Sequence, residues 1–216
     1  MATASVTTPP VLADDIRVVL PHVSWESYER LLADDWDRNV PRLTYDRGVL
    51  EIVSPSPEHD EDADTLRLVV AIVAAALAVP IKRLGSTTYR RPDLERGFEP
   101  DGSFYIQHEA RMRGRRTLDL VTDPPPDLII EMDVSRSSIA KLALFAAMGI
   151  PEVWRGDGGR VTILALAGDG YREVAASRAL PSLTGDILTR FLAESRTLDS
   201  TAWFDMVGGW ARAQRA

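Results

Sequence analysis

The sequence predicts a protein of mixed helices and strands, with helices laid against a sheet, and three stretches carry that expectation. Asp127–Asp133 (DLIIEMD) is short and mostly apolar and is entered through Pro124-Pro125-Pro126, as expected of a strand buried in the middle of a sheet. Leu68–Val79 is an unbroken apolar run of 12 residues ending at Pro80, which suits a buried core helix and is too short to span a membrane. Two alternating segments, Arg42–Val53 and Glu152–Leu166, fold back at Asp46-Arg47-Gly48 and Gly156–Gly159, which predicts hairpins.

In chain order, residues 1–15 read as a flexible tail, and residues 16–216 as a single domain. Ser24 is placed to cap a helix through about Asp35, with Trp25, Tyr28, Leu31 and Leu32 on one side. Ser54–His59 reads as a rigid loop. The acidic turn Asp60-Glu61-Asp62 then opens a helix to about Val79, favoured there by the helix dipole. Ile81–Arg91 suggests one strand with basic positions, and Phe104–Ile106 begins another after Pro100-Asp101-Gly102. Gln107–Asp123 is polar and predicts a hairpin or an edge loop. After the central strand, Ser135, Ser137 and Ser138 provide caps for a helix over Ile139–Met148, ended by Gly149. A helix over Thr184–Glu194 and a segment Trp203–Gln214, whose apolar residues suit either core or a dimer contact, close the chain.

Composition narrows the function. The net charge of −7 argues against coating nucleic acid by bulk charge, yet leaves room for a nuclease with acidic residues at a metal site and a local basic patch. The absence of cysteine removes disulfides, thiolate zinc sites and cysteine nucleophiles. Residues 1–10 carry no basic and apolar leader pattern, so a cytoplasmic protein is expected.

Chemistry enters through carboxylates placed among apolar neighbours. Along the central strand Leu128, Ile130 and Met132 share one face, and Asp127, Ile129, Glu131 and Asp133 share the other. A buried carboxylate demands a partner, a hydrogen bond or a metal, so Glu131 asks for an explanation. Glu51 stands between Leu50 and Ile52 on an early strand, and Asp101 stands at the start of another. Lys141, near the start of its helix, leans back toward the end of the Glu131 strand. His59 is a further candidate at the mouth of the long helix. Carboxylates converging in this way suit Mg²⁺ or Mn²⁺. Arg111, Arg113, Arg115 and Arg116 around Gly114 are a candidate contact for nucleic-acid phosphates.

Pro100-Asp101, the later Glu131 and a lysine resemble the signature of the PD-(D/E)XK nuclease superfamily. Leu50–His59, Gly97–Ile106, Pro124–Glu131 and Lys141–Trp154 are similar to the Uma-two family of proposed restriction endonucleases, over roughly residues 20–210. The resemblance implies an α/β fold with a mixed central sheet flanked by helices. It also implies a metal-dependent endonuclease acting on DNA, with Asp101, Glu131 and Glu51 as metal ligands and Lys141 as the catalytic lysine. The superfamily's usual lysine position, two after the glutamate, holds Asp133, which is then a further ligand or a partner for Lys141. Duplex DNA is the implied partner, and a homodimer is expected because two strands call for two sites. The competing reading is a catalytically degenerate module that binds DNA or a protein.

Overall fold

The computed structural model describes residues 14–34, 41–132 and 137–215. Residues 1–13 of the expected tail, Asp35 at the expected end of the first helix, and Asp133–Arg136 lie outside them. Two sheets organise the chain, and each begins where the sequence alternates. The first is antiparallel, in the order β1 (Ile16–Leu20), β3 (Val49–Ser54), β2 (Arg42–Asp46), β6 (Arg96–Phe98), β5 (Tyr89–Arg91). The second runs β11 (Gly170–Glu173), β10 (Arg160–Ala167), β9 (Glu152–Asp157), β8 (Leu128–Met132), β7 (Gly102–Tyr105), β4 (Lys82–Arg83). Among these strands only β8 and β9 run parallel, so this second sheet is mixed.

The expected single strand over residues 81–91 is instead β4 and β5, one in each sheet, separated by Gly85 with positive φ. The expected hairpin or edge loop after Gln107 contains a short helix, α3 (Glu109–Met112). Asp15, assigned to the tail, is anchored: its carboxylate accepts from Ser56 N and His59 Nδ1.

Helix α1 (Trp25–Ala33) is capped by Ser24, whose side chain accepts from Ser27 N. Its Tyr28 stacks on Tyr45 of β2, with centroids 4.9 Å apart and planes at 12°. Helix α2 (Pro57–Leu77) starts three residues before the acidic turn. Proline is preorganised for the first helical position, and Ser56 accepts from His59 N, so the supposed loop becomes the first turn. Ala63, Leu66, Val70 and Val73 on α2 pack with Phe104, Leu128, Ile130 and Trp154 on one face of the mixed sheet. Helices α5 (Gly185–Ser195) and α6 (Ser200–Ala213) extend that layer through Phe191, Trp203 and Val207, while Phe204 stays exposed. On the other face α4 (Lys141–Ala147) packs Leu144 and Phe145 against Ile129, Val153 and Phe98.

Gly97 is required by the stacked tyrosines. A Cβ there would fall 2.2 Å from the Tyr28 hydroxyl oxygen, and a ring wedged against Tyr45 has nowhere to go. Gly97→Ala is therefore expected to destabilise the fold by about 1–3 kcal/mol through overpacking, read as a lower midpoint in urea. An unchanged midpoint would mean that the ring moves freely.

Candidate active site

The chain crosses from one sheet to the other in three residues, Glu99-Pro100-Asp101, between β6 and β7. That crossing sets Asp101 at the seam, next to Glu131, because β7 and β8 pair with Gly102 opposite Ile130. Glu51 on β3 and Arg42 at the start of β2 approach from the other sheet.

Asp101 is buried and heavily bonded. Its carboxylate accepts from Met132 N at 2.6 Å, from His59 Nε2 at 3.0 Å and from Arg42 Nη1. Burial acts to raise its pKa, but the His59 hydrogen bond, the Arg42 and His59 charges and the Met132 N–H outweigh burial and bring it to about 2. His59 bridges two carboxylates, with Nδ1 donating to Asp15 at 3.0 Å. Burial would lower His59, yet Asp101 and Asp15 raise it to about 9, so the ring is a cation at neutral pH. Arg42 also reaches Asp60 at 2.7 Å.

Glu131 is 2% exposed, and its Oε1 accepts from Lys141 Nζ. Its Oε2 is buried with no hydrogen-bond partner among the described residues. Burial raises its pKa, and the nearby Asp101 charge adds to that; Lys141 only partly offsets them. Burial would lower Lys141, but Glu131, with help from Asp101 and Glu51, outweighs it and leaves the ammonium stabilised. Lys141 reaches Glu131 because it opens α4, where side chains lean toward the helix N-terminus.

Glu51 is closed off. Its oxygens accept from Arg17 Nη1, Ser137 Oγ and Ser138 N, each at 2.8 Å. Two other buried carboxylates show what a structural role looks like. Glu152 accepts from Trp154 Nε1, Ser177 Oγ and Arg178 N, and Asp127 from Ile106 N, His108 N and His108 Nδ1. Both of their oxygens are satisfied; Glu131 has one bare.

The structure thus brings Asp101, Glu131, Lys141, Glu51 and His59 to one region. It leaves the arginine cluster elsewhere. Because β7 is antiparallel to β8, the chain carries Arg111, Arg113, Arg115 and Arg116 to the end of the sheet opposite Asp101. There Arg113 pairs with Glu109, Arg115 with Asp123, and Arg111 with the Thr122 carbonyl, beside a cleft of about 510 Å³ lined also by Lys82 and Arg116. Asp133 lies outside the described residues. Sequence reasoning missed Asp15, Arg17, Arg42 and Ser137. Nothing in the sequence pattern marks the two arginines, since it is the strand register, in which Arg17 and Arg42 both oppose Val53, that brings them to this region.

Among the described residues, no three His, Asp or Glu side chains form a complete metal cage. Asp101 and Glu131 nevertheless fit a hard divalent cation, which commonly takes one or two carboxylates plus water and phosphate oxygens. The bare, buried Oε2 of Glu131 is the observation that favours the fit.

A structure from Anabaena variabilis, titled a "putative nuclease belonging to DUF820", matches at 14% identity with TM-score 0.54. The match covers 79% of this chain and 99% of that one. A comparison with curated proteins returned no match. The profile of the Uma2 family, described as "Putative restriction endonuclease", matches residues 25–194. An α/β chain of restriction-endonuclease-like architecture, with its carboxylates gathered where the two sheets meet, this protein belongs to the Uma2 family.

Proposed function

We propose that the protein is a Mg²⁺- or Mn²⁺-dependent endonuclease that hydrolyses DNA phosphodiester bonds. One observation carries the proposal: Glu131, buried beside Asp101 and Lys141, keeps an oxygen with no partner among the described residues, whereas Glu152 and Asp127 have none free. Asp101 and Glu131 would hold the ion, with Glu51 as an outlying carboxylate. Such an ion, when bound, acidifies a water and offsets charge on the phosphoryl oxygens. Lys141 Nζ, which donates to Glu131, would donate to the attacking water and neutralise charge as it develops. Glu51 fixes the segment leading into α4 through Ser137 and Ser138, which positions Lys141. Family membership and the Anabaena neighbour's title support the nuclease class. The proposal takes duplex DNA as substrate and a pair of copies as the cutting unit, which sedimentation on a palindromic duplex tests. No helix among the described residues is long and apolar enough to cross a membrane.

The second reading is a degenerate module that binds without cutting. The observation in its favour is that Arg42 and His59 already hold Asp101. Mn²⁺ titration by thermal shift, with wild type and Glu131→Gln side by side, separates the two. A metal-dependent rise in wild type alone, with plasmid nicking abolished by EDTA, supports the nuclease. No rise in either protein and no cutting supports the module. If Arg42 competes with metal for Asp101, Arg42→Gln should tighten Mn²⁺ binding by at least about tenfold, a 1.4 kcal/mol effect, in calorimetric titration. Unchanged or weaker binding would show that Arg42 is no competitor.

A further inference from the structure

One strand away from Glu131 lies a second unsatisfied group. β8 and β9 are parallel, and Glu131 is the register partner of Arg155. Register partners in neighbouring strands are about 5 Å apart, with side chains on the same face. That face is the one carrying Ile129 and Val153, over which α4 packs and from whose start Lys141 reaches Glu131. Arg155 is half-buried, and its Nε is shut off from solvent without a hydrogen-bond partner among the described residues. A buried guanidinium N–H left unpaired costs free energy, as does the bare carboxylate oxygen beside it. The two do not satisfy each other.

A ligand that resolves both must present an anionic oxygen to the arginine and positive charge to the glutamate. A phosphate oxygen bound to a divalent cation does both, whereas chloride or a carboxylate supplies only the first. Guanidinium is also the side chain whose planar fork matches phosphate oxygens.

We infer that Arg155 is a phosphate-binding residue of this site, gripping a non-bridging oxygen of the DNA phosphodiester on the β9 side of Glu131; the inference rests on the nuclease reading proposed above. It adds a strand to the site. The reacting phosphate is held between β8, which carries the glutamate, and β9, which carries the arginine.

The test is binding of thymidine 5′-monophosphate, which has the phosphate of a cleaved DNA end, by isothermal titration calorimetry in EDTA and in Mg²⁺. Wild type, Arg155→Gln and Arg155→Lys are compared. Arg155→Gln is expected to lose at least about tenfold in affinity in both buffers, matching one lost charge-assisted hydrogen bond. Arg155→Lys should lose less. Melting temperature without ligand should be unchanged or higher in Arg155→Gln, because the variant removes an unsatisfied buried donor; a residue that mattered only for packing would lower it. The Mn²⁺ thermal shift should match wild type. Equal affinity in wild type and Arg155→Gln, or no binding by wild type in either buffer, overturns the inference. Failure of the nuclease reading looks different: the Mn²⁺ shift is then missing from wild type itself, whatever the nucleotide does in EDTA.

Discussion

Lys141→Met is expected to give the largest loss of stability of any single change at the site. Among the described residues the ammonium is the one hydrogen-bond partner of the Glu131 carboxylate, in a buried setting. Breaking a buried pair by removing one member leaves an uncompensated charge and costs about 3–5 kcal/mol. For a chain of this size that lowers the melting temperature by about 6–20 °C. The double variant Lys141→Met/Glu131→Gln should recover most of the loss, because its neutral, isosteric amide carries no charge to strand. Mn²⁺ should stabilise Lys141→Met more than it stabilises wild type, with the added charge standing in for the lysine. Differential scanning calorimetry in EDTA and in Mn²⁺ reads all three. A single variant that melts with wild type would mean that Lys141 and Glu131 are not a buried pair.

The largest loss of activity is expected from Asp101→Asn and Glu131→Gln. Each keeps the shape of its side chain. In Asp101→Asn the amide retains an oxygen to accept from Met132 N, so folding should survive. Each removes negative charge from the place where a cation would sit, and losing one such electrostatic element in a preorganised site costs about 10²–10³-fold in rate. Single-turnover cleavage of supercoiled plasmid at saturating Mg²⁺, with circular dichroism to confirm the fold, checks this. Undiminished cleavage by either variant would remove these carboxylates from the mechanism.

Much of this site is legible in the sequence for a plain reason. A strand that is apolar except for one carboxylate advertises an internal charge, and Glu131 stands out that way. Lys141 follows from the direction in which helical side chains lean. The counter-charges are not legible, because Arg17 and Arg42 lie 34 and 59 positions from Glu51 and Asp101, the carboxylates they meet. The pairing of β1 with β3 and of β2 with β6, whose chain continues to Asp101, brings them in. The division of residues 81–91 between two sheets is hidden for a similar reason: alternation reports a strand but not which sheet it joins. The basic cluster at Arg111–Arg116 reads alike in sequence at either end of a sheet, and the antiparallel turn from β7 into β8 decides its end.

One of the bonds that neutralise the carboxylates, from Arg42 to Asp101, also joins the two sheets. Arg42 comes from β2 of the antiparallel sheet, while Asp101 leads directly into β7 of the mixed one. Occupancy of the site is therefore mechanically linked to the seam. If a bound cation takes Asp101 from Arg42, amide hydrogens of β8 should exchange more slowly while those at the start of β2 exchange faster. The protein would register its ligand as a transfer of rigidity from one sheet to the other.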